Sequence, residues 1–486
     1  MCRVLWAGPL TGIVSKPQTT DQGTFGGMAL YVANSVPGTI SQYRIGIGGD
    51  LHPMSPPTVP AGGGGVFRLI SDPSRRFAYG LDVTGNALFQ YRIAPDGHLI
   101  PLSPPRLPVG KGDEGIVYLT PNGRFAYCPN IGDNTLSQFA VQTDGTLRPL
   151  SPPTVATGRG PISLLATPNC RFLYCANTSD GSIFSYRIQV DGRLSPLGSP
   201  TLTHAEPVSL TFLPGFQVLY CRNWNPGSIS QFHVEADGRL AELAPALSLF
   251  SDVTGDLVAV PMTRSVYATD GSQTLFQYHI NANGGLSPLS PAKMDLPGGI
   301  ATHIALSNVG GAAAGTERNI FLYTNLQFSK KISQYRITQD GTLSALSPEV
   351  ADDLDGSPQS LAVDPTGRFV YVVNDQTSTI SQYRIARDGQ LTPLSPSAVA
   401  TGGGSTFITI VTLPASAPHK SEREDNKVRA GHKSPTPFRR RRRFHSSEAS
   451  RGAVAAQDDG LGAGILVASL SRRVPRPTPR RPGPCR

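Results

Sequence analysis

Eight times along this 486-residue chain the same phrase returns: a β-rich run ending on an aromatic, a tight turn, then Leu-x-Pro-Leu-Ser-Pro or a close variant. Its aromatics are Tyr43, Tyr91, Phe139, Tyr186, Phe232, Tyr278, Tyr335 and Tyr383, spaced by 48, 48, 47, 46, 46, 57 and 48 residues. A period of roughly 40–50 residues marks a repeat architecture, in which each copy is one unit that buries its apolar face only against its neighbours. The repeat overrides the expectation of several domains that length alone would raise. One array spans residues 28–414, between an N-terminal extension at 1–27 and a tail at 415–486.

The last full copy shows what one unit is. Residues 360–374 (Ser-Leu-Ala-Val-Asp-Pro-Thr-Gly-Arg-Phe-Val-Tyr-Val-Val-Asn), 378–385 (Ser-Thr-Ile-Ser-Gln-Tyr-Arg-Ile) and 388–396 (Asp-Gly-Gln-Leu-Thr-Pro-Leu-Ser-Pro) contain four short runs rich in β-branched and aromatic residues. Each run is bounded by turn formers, which predicts four strands, A to D. Pro365-Thr-Gly-Arg turns A into B, and an Asp-Gly pair turns C into D, where glycine supplies the positive φ of a tight hairpin. No helical segment of useful length is present. Four-stranded antiparallel units repeated radially make a β-propeller, an architecture that leaves few strand edges open. The array enters at a strand B (Ala29 to Asn34) and leaves on a lone strand A (Phe407 to Leu413). That last strand is predicted to complete the first sheet and close a ring of eight blades.

The most regular residues read as scaffold. Asp96, Asp144, Asp191, Asp237, Asp340 and Asp388 each precede the turn glycine, one per turn, with no second carboxylate at calcium-ligand spacing. Asn34, Asp82, Asn130, Asn177, Asn223, Asp270 and Asn374 end strand B and read as B–C turn formers. Glutamine precedes the aromatic in seven copies and is expected to satisfy backbone groups inside each sheet. Cys128, Cys175 and Cys221 occupy one equivalent position in three consecutive copies. Facing sheets lie about 10 Å apart, beyond the roughly 7 Å Cα reach of a disulfide, so free buried thiols are expected. Neither a zinc motif nor any other metal or cofactor signature is present.

Charge divides the chain. The tail carries 17 Lys/Arg against 6 Asp/Glu, which leaves residues 1–414 at a net −2 although the whole chain is +9. With Arg439 to Arg443 in a row and a Pro/Arg-rich end, the tail has the composition of a disordered segment. Its alternatives are a nuclear-localisation or nucleic-acid-binding arm and a functionless extension. The longest apolar run, Leu461 to Leu470, falls short of the roughly 20 residues of a membrane helix. Gly and Pro interrupt the first residues, which makes a poor signal peptide. The expectation is a cytoplasmic monomer.

The runs Pro365-Thr-Gly-Arg-Phe-Val-Tyr-Val-Val-Asn and Thr379-Ile-Ser-Gln-Tyr-Arg-Ile resemble the lactonase-type β-propellers. That superfamily includes bacterial 6-phosphogluconolactonases, the fungal carboxymuconate lactonising enzyme and YVTN-repeat proteins. The resemblance covers residues 28–414 and implies a propeller of usually seven blades, the alternative to the count of eight. It also implies, for an enzyme, a His, a Glu and Arg residues at the mouth of the central channel, without a metal. Only the seventh copy partly matches: His303 falls on the family histidine, Thr302 on the preceding arginine, and Leu326 and Gln327 on an Asn-Glu pair.

One column of strand A is more telling. Reading from the second copy it runs Arg68, Ile116, Ser163, Ser209, Asp256, His303 and Ser360, with Thr409 assigned to the closing strand. Strand A is innermost, so this column is predicted to ring the upper channel, with Arg68 opposite Asp256 and Asp256 beside His303. An Asp beside a His is able to orient it as a general base, with Arg68 holding an anion; the bland alternative is a structural charge network. Loops on the same face carry Lys111, Asp113, Glu114, Arg159, His204, Glu206, Arg222 and Trp224. Glu114, Arg159, Glu206 and Trp224 join Arg68 as candidate ligand-binding residues, and His303 with Asp256 form the candidate catalytic pair. The favoured reading is a non-catalytic propeller that binds a small molecule or a protein on its upper face. The alternatives are a metal-independent lactone hydrolase and a nucleic-acid-associated protein acting through the tail.

Overall fold

The computed structural model describes residues 27–414 except 37, 63–65, 83–85, 113–115, 204, 249–254, 310–318 and 352–355. The extension, the tail, Asp113, Glu114 and His204 lie outside the described residues.

The eight copies form eight antiparallel sheets, each with four strands in sequential order, and no α-helix occurs among the described residues. Blade one is composite: the last strand, Ser405–Thr412, pairs antiparallel with Met28–Asn34 and becomes its strand A. Pairing the two ends of the array covers the strand-B edge that blade one would otherwise leave open, so the array runs from a strand B to a strand A. In blade four, strand D breaks into Leu194–Pro196 and Thr201–Leu202.

Strands A to C are buried on both faces because each sheet is sandwiched between two others, whereas D faces solvent. In blade eight, Phe369–Asn374 is buried throughout, while Leu391–Ala400 is mostly exposed. The core therefore consists of apolar layers between blades. One layer joins Tyr118, Phe125 and Leu136 of blade three to Leu164, Leu173 and Tyr186 of blade four.

Two repeated residues stitch the layers. A strand-B tyrosine donates its hydroxyl to the carbonyl of the C–D turn glycine in the next blade at every seam, from Tyr31 on Gly97 (2.6 Å) round to Tyr371 on Gly49 (2.6 Å). The turn glycine is required for more than its hairpin: at Gly145, with φ +85°, a Cβ would collide with the Phe77 ring of the preceding blade. The strand-C glutamines reach beyond their own sheets. Gln42 Nε2 donates to the Pro56 carbonyl of its own blade, as expected, but its Oε1 accepts the Leu99 amide of the next. The same bridge recurs from Gln90, Gln138, Gln231, Gln277, Gln334 and Gln382, at 2.7–3.0 Å to the neighbouring leucine amide. Extended backbone geometry at the start of strand D leaves that amide facing the adjacent blade, a placement that only the ring defines.

The B–C turn residues behave as the sequence suggests. Asn34, Asn130, Asn223 and Asn374 each donate across the hairpin to two hydroxyls of strand C. Cys128, Cys175 and Cys221 are buried free thiols, each between a different pair of blades.

Candidate functional site

Strand A begins at the upper face and carries the variable column near its start. The register corrects one member. In blade eight Ser360 pairs with Val373 and Ala362 with Tyr371. In blade one the equivalent tyrosine, Tyr31, pairs with Thr409, and Ala33 pairs with Phe407. Phe407 is therefore the eighth member, and Thr409 lies two residues further along, level with Ala362 of blade eight.

All eight column residues (Phe407, Arg68, Ile116, Ser163, Ser209, Asp256, His303 and Ser360) are at most 4% exposed. The charged members sit deep. The Arg68 guanidinium stacks on the Phe407 ring, 4.1 Å from its centroid. Among the described residues no group hydrogen-bonds Arg68 Nε, Nη1 or Nη2. The same holds for Asp256 Oδ1 and for the hydroxyls of Ser163 and Ser209. Burial drives the Arg68 pKa down to about 10 and Asp256 up to about 8, and each feels the other's charge. Such unsatisfied buried groups are rare in folded proteins because each loses its hydration without replacement. Four of them, on Arg68, Asp256, Ser163 and Ser209, fall in one ring of side chains.

Arg222 joins this cluster. The sequence placed it with the upper loops; the structure places it in strand B of blade five (Val218–Asn223), fully buried and between blades five and six. Burial lowers its pKa to about 10, offset by the charges of Asp256 and Asp270. Its signal in the sequence was an arginine inside an otherwise apolar strand-B run.

Asp256 and His303 lie on adjacent inner strands, but their polar contacts diverge. Asp256 Oδ2 accepts the backbone N–H of Ile304 at 3.0 Å, and its own N–H donates to Thr269 Oγ1 at 2.7 Å. His303 Nδ1 lies 3.2 Å from Thr302 Oγ1, and its backbone N–H donates to Asn325 Oδ1 at 2.9 Å. Asn325 in turn donates to Thr302 Oγ1 and to the Pro358 carbonyl. Gln327, on the family's glutamate position, is buried and donates to Gln359 Oε1.

The described loop candidates Arg159, Glu206 and Trp224 lie in the connections of blades four and five. Arg159 is paired with Asp180 at 2.6 Å. Glu206 and Trp224 are half-buried and joined through their backbones, Trp224 N–H to the Glu206 carbonyl at 2.7 Å. A cavity of about 190 Å³ lies between the inner strands of blades eight, one and two, with Arg68, Phe407 and Thr409 in its wall. A larger one, about 290 Å³, lies at the outer edge between blades three and four, lined by Gln138, Pro152 and Arg193, away from the column.

The sequence pattern of the family described as "Lactonase, 7-bladed beta-propeller" matches residues 148–254 and 269–409, just over half of the chain. Solved structures share the fold at low identity. A candidate 6-phosphogluconolactonase from Bacteroides uniformis is 17% identical, covers 79% of this chain and 100% of its own, and superposes with a TM-score of 0.51. AztD from Citrobacter koseri is 13% identical, with coverage of 80% and 99% and a TM-score of 0.55. No curated protein matches the chain.

Proposed function

This chain belongs to the lactonase β-propeller family, with eight blades in place of seven, and we propose that it is a binding propeller whose ligand is a small anion held by Arg68 near the top of the central channel. The observation that carries this reading is the Arg68 guanidinium, buried on the ring with no hydrogen-bonding partner among the described residues. A guanidinium out of water is costly unless charge and hydrogen bonds replace its hydration, and a carboxylate or phosphate does both through paired N–H donors. Asp256 is mostly protonated near neutral pH, with its pKa raised to about 8 by burial, so it does not cancel the arginine and is able to donate to the guest. Ser163 and Ser209 add hydroxyls suited to a hydroxylated molecule.

His303 in the same column favours one second reading, lactone hydrolysis with the imidazole as base and Arg68 as anion clamp. Against it stands the Asp256 carboxylate, which is engaged by the Ile304 amide and mostly neutral, a poor orienter for an imidazolium.

One experiment separates the two. Gluconate, 6-phosphogluconate and their lactones are titrated into the protein by calorimetry, with lactone consumption followed by NMR. Binding without turnover, lost in Arg68→Met, supports the binding module. Turnover that disappears in His303→Ala while the melting temperature holds supports the hydrolase. If no member of the panel binds or is consumed, both readings fall.

A further inference from the structure

Seven of the eight seams between blades carry the glutamine bridge, and one does not. At the position of the glutamine, blade four has Ser185. The amide it would have capped, Leu240 N–H at the start of strand D in blade five, has no side-chain partner among the described residues. The seven bridged leucines are buried (Leu51, Leu99, Leu147, Leu194, Leu286, Leu343 and Leu391), whereas Leu240 is only half-buried, at the margin of the seam's apolar layer.

Other features of this seam point the same way. The strand-C aromatic of blade five is Phe232, which lacks the hydroxyl that Tyr91 and Tyr186 donate to the preceding blade, at Pro60 and Ala156. The outer strand of blade four is interrupted beside the gap, between Pro196 and Thr201. Tyr174 to Gly238, at 3.0 Å, is the longest of the eight tyrosine–turn bonds. What remains is that bond, the bonds from Thr178 Oγ1 to the Pro207 carbonyl at 2.8 Å and from Ser230 Oγ to the Thr203 carbonyl at 3.2 Å, and the apolar layer.

We infer that the ring opens locally at the seam between blades four and five, ahead of every other seam. Local openings follow the places with fewest buried contacts and unsatisfied backbone groups, and a seam missing two hydrogen bonds is such a place. Opening there parts the layer formed by Leu165, Phe172 and Tyr174 from Leu210, Phe212 and Cys221. The inference is independent of any ligand.

The chain carries its own reporters. Cys128, Cys175 and Cys221 are equivalent residues, fully buried in three successive seams: two to three, three to four, and four to five. Burial raises the pKa of all three thiols, so each reacts only when its seam opens. The seam at Cys128 also meets a phenylalanine, Phe139, but keeps its bridge from Gln90 to Leu147, which isolates the effect of the glutamine.

The test is maleimide labelling of the native full chain, read by peptide mass spectrometry and normalised to each peptide's rate in urea. Cys221 is expected to label about tenfold faster than Cys128 and Cys175. Gln138→Ser, which removes the bridge to Leu194, is expected to speed Cys175 and leave Cys128 unchanged. Equal rates for the three cysteines in the native chain overturn the inference. Amide exchange gives a second readout without any substitution: Leu240 exchanging no faster than Leu286 overturns it as well.

Discussion

The Arg68 guanidinium lies face-on over the Phe407 ring, 4.1 Å from its centroid, and so links the first complete blade of the chain to its last strand. This contact holds the arginine upright in the column without satisfying any of its N–H groups. The aromatic face supplies attraction worth roughly 1–2 kcal/mol when desolvated, less than the cost of leaving a buried charge unpaired. The stacking thus offsets only part of the cost of burying Arg68.

Removing that charge should stabilise the empty protein. Arg68→Met keeps the stacking volume and is expected to raise the unfolding free energy by about 1–3 kcal/mol while abolishing anion binding. Denaturant melts with and without gluconate check both halves. A destabilised variant would show that the guanidinium is already satisfied in the native chain.

Asp256 should make stability fall as pH rises. Its folded pKa, about 8, stands above the ordinary 3.8 because burial disfavours the carboxylate. The folded state therefore holds a proton that the unfolded state releases between these values. The stabilisation is complete below pH 3.8 and is lost as pH climbs to about 8, at up to about 1.4 kcal/mol per pH unit. Urea midpoints at pH 5 to 8.5 are expected to decline for the native chain, and to decline less for Asp256→Asn.

The glutamine bridges should matter individually. Gln90→Ala leaves the buried Leu147 amide and the Pro104 carbonyl without partners and is expected to cost about 1–3 kcal/mol. Ser185→Ala, at the seam without a bridge, is expected to change stability by less than about 0.5 kcal/mol. Equal losses in urea melts would contradict the bridging role.

Closure should be all-or-none. Deleting residues 405–414 removes strand A of blade one, exposing Tyr31 and Ala33 and leaving Arg68 without Phe407. Loss of a single cooperative thermal transition is expected; a sharp transition near the native melting temperature would refute it.

The period, the turn residues and the B-to-A offset of the two ends determined the propeller, the count of eight and the closing strand. Those features are local: each hairpin states its own geometry, and spacing alone multiplies it. The column with Arg68, Asp256 and His303 was legible too, because strand position is conserved by the repeat. Three things were not. Phe407 took the place assigned to Thr409 because the closing strand pairs with a strand B at the far end of the array, and only that pairing sets its register. Arg222 entered the buried cluster, and the glutamines proved to bridge blades, because a side chain's partner across a seam is chosen by ring packing. Sequence thus specified each blade, and only the tertiary ring decided which groups meet between blades, because those contacts join residues that no local pattern relates.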